Sequence, residues 1–95
     1  ERALRPGRAQ LLASAVGLER LRERGRFAAA AVAAAEPAPA GGYRVSWPIE
    51  SIAHAASQLL AIGPELEVLD PPELRAALAE LARAVARRNR ARARR

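Results

Sequence analysis

The chain has 95 residues, no cysteine, one histidine and a formal net charge of +6. This composition predicts one small domain, excludes disulfides and leaves too few ligands for a typical zinc or other transition-metal site. No apolar run reaches the roughly 20 residues of a membrane span, so we expect a cytoplasmic protein without a membrane partner. Because the sequence has no methionine, we also expect it to be part of a longer protein.

The positive charge belongs to the end of the chain. Residues 81–95 hold seven arginines and no acid, a balance of +7, whereas residues 1–80 hold nine arginines and ten acids, a balance of −1. Arginines in such a tail can neutralise nucleic-acid phosphates without sequence preference, and that binding weakens steeply with salt. The net charge therefore describes the tail more than the folded part.

The first predicted helix covers residues 8–24, where apolar side chains such as Leu11 fall on one helical face and Gly25 marks the end. Gly17 lies inside this helix, where glycine costs about 1 kcal/mol relative to alanine. Residues 3–5 are interpreted as the end of a preceding strand.

Residues 27–35 consist almost entirely of alanine and valine, and intrinsic propensity favours a helix there. The short length of the run and the Pro- and Gly-rich residues 37–42 that follow it favour a strand instead. Such a strand would give the next one an antiparallel partner. We therefore predict a strand over residues 27–35.

The middle of the chain has the clearest signals. Apolar and polar side chains alternate over residues 43–49, which predicts a half-buried strand. Ser51 can cap a helix that follows, and Gly63 before a proline ends it. Residues 66–69 then predict a second short strand.

The last predicted helix begins at the two prolines that follow Asp70. Asp70 is in position to cap it, and Glu73 can reach back in the manner of a capping box. An apolar stripe runs through residues 74–85 and stops near Arg88. We therefore predict a single domain over residues 1–88 and a basic, disordered tail over residues 89–95.

The predicted order is strand, helix, strand, strand, helix, strand, helix. Two βα units split in this way place their helices on one face of an antiparallel sheet. The sequence thus predicts an α+β, ferredoxin-like sandwich with an additional C-terminal helix.

The segment from Gly63 to Arg75 resembles part of the C-terminal extension (WCX) domain of WYL-domain bacterial transcriptional regulators. That family has a glycine turn, a Glu-Val-Leu strand, a proline-led helix start and a Leu-Arg pair. The matching residues here are Gly63, Glu67, Val68, Leu69, Pro71 or Pro72, Leu74 and Arg75. In addition, residues 5–8 are similar to the first strand-to-helix junction of actinobacterial members, including paired regulators of the DNA-damage response.

The resemblance implies a C-terminal regulatory and dimerising domain of a DNA-binding transcription regulator. In such proteins this domain packs with the Trp-Tyr-Leu domain, which is thought to bind single-stranded nucleic acid as a damage signal. The expected partners are therefore a second copy of the chain and single-stranded or promoter DNA, the latter through the full-length regulator. No cofactor is expected.

Arg8, Arg44 and Arg75 are the candidate contacts to nucleic-acid phosphates if the family role applies. Arg44 is expected on the outer face of its strand, and the other two near strand ends. The alternative is that these side chains are solvated or salt-bridged, as exposed arginines usually are. Tyr43 and Trp47 are expected to pack in the core and not to stack on bases.

Catalysis has little support in the sequence. His54 has Ser51 and Ser57 three residues to either side, but a nucleophile on a regular helix lacks a strained turn and an oxyanion hole. We predict that the protein is not an enzyme and has no catalytic or metal-binding residues. The four acids near the last helix are interpreted as caps or solvated side chains and not as cation ligands: Glu65, Glu67, Asp70 and Glu73.

Self-association has a physical basis, since a small sheet exposes edges and one face. The flat, uncharged strand predicted over residues 27–35 would suit close approach of a second chain, so we expect a homodimer. Two other functions stay open. One is a ferredoxin-like sensor with a small ligand at the interface between sheets, and the other is a purely structural oligomerisation domain.

Overall fold

The computed structural model describes residues 7–93, and side chains for residues 7–90. Four strands and four α-helices follow one another in these residues. They are β1 (Arg8–Ala13), α1 (Ala15–Arg22), α2 (Arg26–Ala33), β2 (Glu36–Pro37), β3 (Tyr43–Pro48), α3 (Ile52–Leu60), β4 (Leu66–Asp70) and α4 (Pro72–Ala93), and a 3₁₀ turn, Gly63–Glu65, precedes β4.

The strands form one antiparallel sheet in the order β2-β3-β1-β4. β3 separates the two strands of the first βα unit, and β1 separates the two strands of the second unit. This interleaving defines the split βαβ arrangement of a ferredoxin-like α+β fold. The predicted fold class is confirmed, including the C-terminal helix.

The core lies between one face of the sheet and the helices. Buried side chains alternate along the strands with period two, so only one face of the sheet is covered. The helices and the loop before β4 supply the opposing layer. The buried residues are Ala9, Leu11, Ala13, Leu21, Ala28, Val45, Trp47, Ala55, Ala56, Leu59, Ile62, Val68 and Leu74.

The prediction of one helix over residues 8–24 is wrong in its first part. Arg8–Ala13 is the central strand β1, and the helix begins only after Ser14. Adjacent apolar residues Leu11 and Leu12 fit a helical stripe, but in the structure Leu11 faces the core and Leu12 the opposite side. The interpretation of residues 5–8 as a strand-to-helix junction is also wrong, because Arg8 starts a strand. The strand predicted over residues 3–5 lies outside the described residues.

The prediction of a strand over residues 27–35 is wrong as well. Helix α2 spans Arg26–Ala33, and the strand that pairs with β3 consists only of Glu36 and Pro37. One edge of β3 pairs with β1 along its whole length and the other pairs only with Glu36 and Pro37, so residues 27–35 have no strand partner and follow the helix propensity of alanine. The edge position needs only a short strand, which a tight turn over residues 38–42 connects to β3.

The second half of the fold agrees with the sequence. β3, α3 and β4 are found where predicted, Ser51 accepts a hydrogen bond from the His54 amide at 3.1 Å, and Gly63 takes a φ of +71°. Helix α4 begins at Pro72 but continues to Ala93, so its predicted end near Arg88 is wrong. The Pro71 carbonyl, and not the Asp70 carboxylate, accepts the first helical hydrogen bonds.

Ser14 joins the start of α1 to the start of β4. Its hydroxyl accepts from the Gly17 amide at 3.0 Å and donates to Glu65 Oε1 at 2.6 Å, while its own amide donates to the Glu65 carbonyl at 2.9 Å. Replacing an N-cap serine with alanine removes an acceptor for the helix and a partner for the carboxylate.

We expect Ser14→Ala to lower the free energy of unfolding by about 1 to 2 kcal/mol, measured by urea denaturation. Ser57→Ala is the matched control, because Ser57 is exposed within α3 and surface substitutions usually stay within about 0.5 kcal/mol. Equal effects of the two substitutions would contradict the capping role of Ser14.

Candidate functional site

The sheet has an open face, by which we mean the side turned away from the helices. Side chains that alternate with the buried ones point to it, and none of them is buried. The open face consists of Arg8, Gln10 and Leu12 on β1, Arg44, Ser46 and Pro48 on β3, Glu36 on β2, and Glu67 and Leu69 on β4. Two of the three predicted nucleic-acid contacts, Arg8 and Arg44, therefore lie on one surface.

Arg8 is held in place by the neighbouring strand. Its Nε donates to Ser46 Oγ at 2.8 Å and its Nη2 donates to the Ser46 carbonyl at 3.1 Å. Gln10 Nε2 also approaches Ser46 Oγ, at 3.4 Å. These bonds orient the guanidinium without neutralising its charge, because Ser46 is uncharged. Arg8 can therefore present a positive charge at a fixed place.

Arg44 is exposed and is less constrained. It forms no salt bridge and no side-chain hydrogen bond with any residue in the range 7–90. Its cross-strand neighbours are Leu12 on β1 and Glu36 on β2. Directly opposite residues have Cβ atoms about 5 Å apart, so the Glu36 carboxylate lowers the electrostatic potential around Arg44. The two side chains nevertheless form no salt bridge.

Arg75 does not join the other two arginines. It extends from the first turns of α4 to the outer edge of β4, where Nη1 lies 3.2 Å from Glu67 Oε2 and donates to the Val68 carbonyl at 3.2 Å. Its positive charge is thus already paired with a carboxylate on the open face. For Arg75 the salt-bridged alternative describes the structure better than a free phosphate contact.

The distance between Arg8 and Arg44 follows from the register. Arg8 is paired with Pro48, four positions along β3 from Arg44. Four residues of strand span about 13 Å. This distance separates the backbone positions of the two residues, and the Arg8 guanidinium extends along β3 toward Arg44 as far as Ser46.

The arginines near the end of the chain lie on α4 and not on a disordered segment, at least through Arg90. Every side chain from residue 82 to residue 90 is exposed. Arg83 Nη2 lies 2.7 Å from Glu80 Oε1, and this hydrogen bond lowers the pKa of the Glu80 carboxyl. Beyond that pair the helix presents Arg87, Arg88 and Arg90 to solvent.

Trp47 and His54 lie where the sequence indicated, whereas the predicted cap by Asp70 is not found, because the Pro71 carbonyl accepts the first hydrogen bonds of α4. Trp47 is 4% exposed and belongs to the core, Tyr43 is half-buried, and His54 is exposed. Of the acids, Glu65 accepts from Ser14 and Glu67 pairs with Arg75. Among the described residues no three His, Asp or Glu side chains come together as a metal site.

Sequence reasoning missed Gln10 and Ser46, the polar residues between the two arginines. A helix over residues 8–13 does not place Gln10 beside Ser46, because it removes β1 as the neighbour of β3. The alternation of Arg8, Gln10 and Leu12 with Ala9, Leu11 and Ala13 was the available signal for a strand. The missed pair matters because Ser46 holds Arg8.

An uncovered sheet face that carries arginines, on a ferredoxin-like domain, indicates a binding or regulatory domain, but this description does not identify a family. The comparison with family models identifies one: the WCX domain model matches residues 5–86, and the chain belongs to this family. This match fits a regulatory domain of WYL-type proteins. No curated protein and no solved structure matches the chain significantly. In the described part of the chain, no helix has the length and apolar character needed to span a membrane.

Proposed function

We propose that this domain is the non-enzymatic C-terminal regulatory domain of a WYL-type bacterial transcription regulator and that its open face contacts single-stranded nucleic acid. The observation that carries the proposal is the uncovered sheet face with Arg44 exposed and unpaired among the described residues. A phosphate can approach Arg44 without breaking an existing ion pair.

The three arginines should contribute unequally. Arg44 can form a new charged contact at little cost, and Arg8 is already oriented by Ser46. Arg75 would have to leave Glu67 and the Val68 carbonyl before it could bind a phosphate. Substitution of Arg44 should therefore weaken binding more than substitution of Arg75.

Dimerisation is the second candidate function, and the open face is also the better surface for it. Strand addition is disfavoured at both edges, because β2 has two residues of which one is Pro37, and Arg75 occupies the Val68 carbonyl on β4. The dimer predicted through residues 27–35 loses its basis because that segment is a helix. Leu12, half-buried at the centre of the open face, would be the apolar contact of a dimer.

We expect Arg44→Gln to weaken binding of a labelled single-stranded oligonucleotide several-fold in fluorescence anisotropy. The slope of log affinity against log salt should fall by about 0.7, the value for one phosphate contact on a single strand. Arg20→Gln is the matched control, since Arg20 is exposed on α1, away from the open face. Glu36→Gln should strengthen binding, because it removes the negative charge opposite Arg44.

The arginines at the end of α4 need a separate control. The triple variant Arg87→Gln, Arg88→Gln, Arg90→Gln removes their charge and changes only exposed positions. If this variant abolishes binding while Arg44→Gln behaves like Arg20→Gln, the contact belongs to α4 and the proposed role of the open face is wrong. Sedimentation analysis tests the alternative of a purely structural oligomerisation domain. A dimer that Leu12→Arg disrupts, in a chain that does not bind the oligonucleotide, would support that alternative.

A further inference from the structure

Helix α4 continues beyond the core of the domain. Leu81 is its last side chain that packs against the core, and every side chain from Ala82 to Arg90 is exposed. These residues make about two and a half turns, so exposure of all of them leaves no face of the helix resting on the described domain. We call residues 82–93 the projecting segment, which extends about 18 Å past Leu81.

The projecting segment has a row of arginines along one side. Arg83, Arg87 and Arg90 are four and three residues apart, a spacing that places side chains on the same face of a helix. This arginine row is about 10 Å long, since each residue adds about 1.5 Å. Successive residues are rotated by about 100°, so Arg88 lies off the row, toward the side that includes Val85.

The two outer charges of the row are unpaired among the described residues. Arg83 Nη2 lies 2.7 Å from Glu80 Oε1, at the end of the row nearest the core. Residues 81–95 contain no acid, and Arg87 and Arg90 form no salt bridge with any residue in the range 7–90. Two adjacent guanidinium groups on the row can therefore pair with an external anion without first breaking an ion pair.

The other side chains of the projecting segment limit the kind of anion. Apart from its arginines the segment contains alanines, Val85 and Asn89, and therefore no aromatic side chain and one aliphatic side chain larger than alanine. Protein interfaces and membrane surfaces need apolar anchors, and single-stranded bases are bound largely by stacking on aromatic rings. Duplex DNA needs neither, because its phosphates form a dense line with one charge per about 1.7 Å of helix axis.

We propose that the arginine row binds the phosphate backbone of duplex DNA without reading its sequence. Such contacts hold a protein on a duplex and give no information on the bases. This role goes beyond the proposed function, because it belongs to the projecting segment and a duplex, whereas the proposed function belongs to the open face and a single strand. The two surfaces share no residue.

Fluorescence anisotropy of a short labelled DNA duplex, titrated with the whole chain over a series of salt concentrations, tests this role. Arg87→Gln should weaken binding about eightfold at about 0.1 M salt, and the slope of log affinity against log salt should fall by about 0.9, the value for one phosphate contact on B-DNA. Arg88→Gln removes the same charge from the adjacent residue, off the row, and should change the affinity much less. Glutamine has a helix propensity close to that of arginine, so both variants keep the helix.

Replacement of the whole arginine row by glutamine should abolish duplex binding. Its matched control replaces three exposed arginines elsewhere and lowers the net charge by the same amount: Arg20→Gln, Arg22→Gln and Arg26→Gln. This control should retain most of the affinity, because a row of contacts and not the net charge holds the duplex. Duplexes of A·T-rich and G·C-rich sequence should bind equally well, since phosphates are common to both.

Three results would overturn the role of the row: no duplex binding at low salt, equal effects of Arg87→Gln and Arg88→Gln, or displacement of the duplex by polyglutamate as effectively as by unlabelled duplex. The last result would indicate an acidic protein surface as the partner. Arg44→Gln on the open face should leave duplex affinity unchanged while it weakens single-strand binding. If the single strand fails to bind but the row variants still lose the duplex, only the proposed role of the open face is wrong, and in the reverse case only the role of the row is wrong.

Discussion

Gly17→Ala is expected to destabilise the domain by about 2 kcal/mol, although alanine is the better helix former. By propensity alone this substitution would stabilise helix α1 by about 1 kcal/mol. In the structure a Cβ on Gly17 would overlap the carbonyl oxygen of Glu65 and lie 3.2 Å from the Ala13 Cβ. Overpacking of this kind costs about 3 kcal/mol at the upper end of the usual range, which exceeds the gain in propensity.

The overlap with Glu65 is hard to relieve, because the groups on both sides are fixed. The Glu65 carbonyl accepts from the Ser14 amide, and its carboxylate accepts from the Ser14 hydroxyl. Moving α1 together with Ser14 away from Glu65 would break these bonds. The close approach therefore requires glycine at position 17.

Urea denaturation of Gly17→Ala tests this requirement, with the free energy obtained by linear extrapolation. Ala53→Gly on the exposed face of α3 is the control, and it should cost about 1 kcal/mol through propensity alone. If Gly17→Ala proves more stable than the unsubstituted chain, helix propensity dominates and the close packing of α1 on the turn before β4 is wrong.

Leu74→Ala is expected to have the largest effect on stability, a loss of about 3 to 4 kcal/mol in the free energy of unfolding. Leu74 is completely buried and lies in the first turn of α4. It anchors this helix to the common core, while Ala77, Leu78 and Leu81 pack only partly against it. Against a typical total of about 5 to 15 kcal/mol, this loss is large enough to leave the domain marginally folded.

Val85→Ala provides the control on the same helix. Val85 is 44% exposed and lies beyond the last residue that packs against the core, so its truncation should cost less than about 1 kcal/mol. Both variants are compared by urea denaturation, and the midpoint of Leu74→Ala should be far lower. Similar midpoints would mean that α4 is anchored along its whole length, in conflict with the exposure of residues 82–90.

The parts of the fold that could be predicted from sequence are those whose signals are local. Ser51 caps α3 through an amide three residues away, and Gly63 takes the positive φ that closes the segment before β4. Strand β3 was predictable because its alternation is unbroken from Tyr43 to Trp47. Each of these signals acts within a few residues, so no knowledge of the partner elements is needed.

The first βα unit was mispredicted because its outcome depends on distant partners. Leu11 and Leu12 are compatible with a helix or a strand, and only pairing with both β3 and β4 makes β1 a strand. In residues 27–35 the opposite occurs: β1 pairs with one edge of β3 and Glu36 and Pro37 with the other, so the alanines have no strand partner and form a helix. Local sequence cannot report which strand occupies a neighbouring position.

The candidate site shows the same division. Alternation along β3 was sufficient to place Arg44 on the outer face, whereas the ion pair of Arg75 with Glu67 depends on how α4 packs beside β4. The start of α2 could not be predicted either, because local signals favour a strand over residues 27–35. Arg8 lies at the end of a strand as predicted, but that strand is β1, where the sequence predicts a helix.

Strand β3 has a consequence for how the two sides of the domain communicate. Its pleat directs Arg44 and Ser46 to the open face and Trp47 into the core. A nucleic acid bound at the open face and the packing of the core would therefore act on the same backbone. Any coupling between them is reciprocal, so that binding would change the free energy of unfolding by as much as folding changes the free energy of binding.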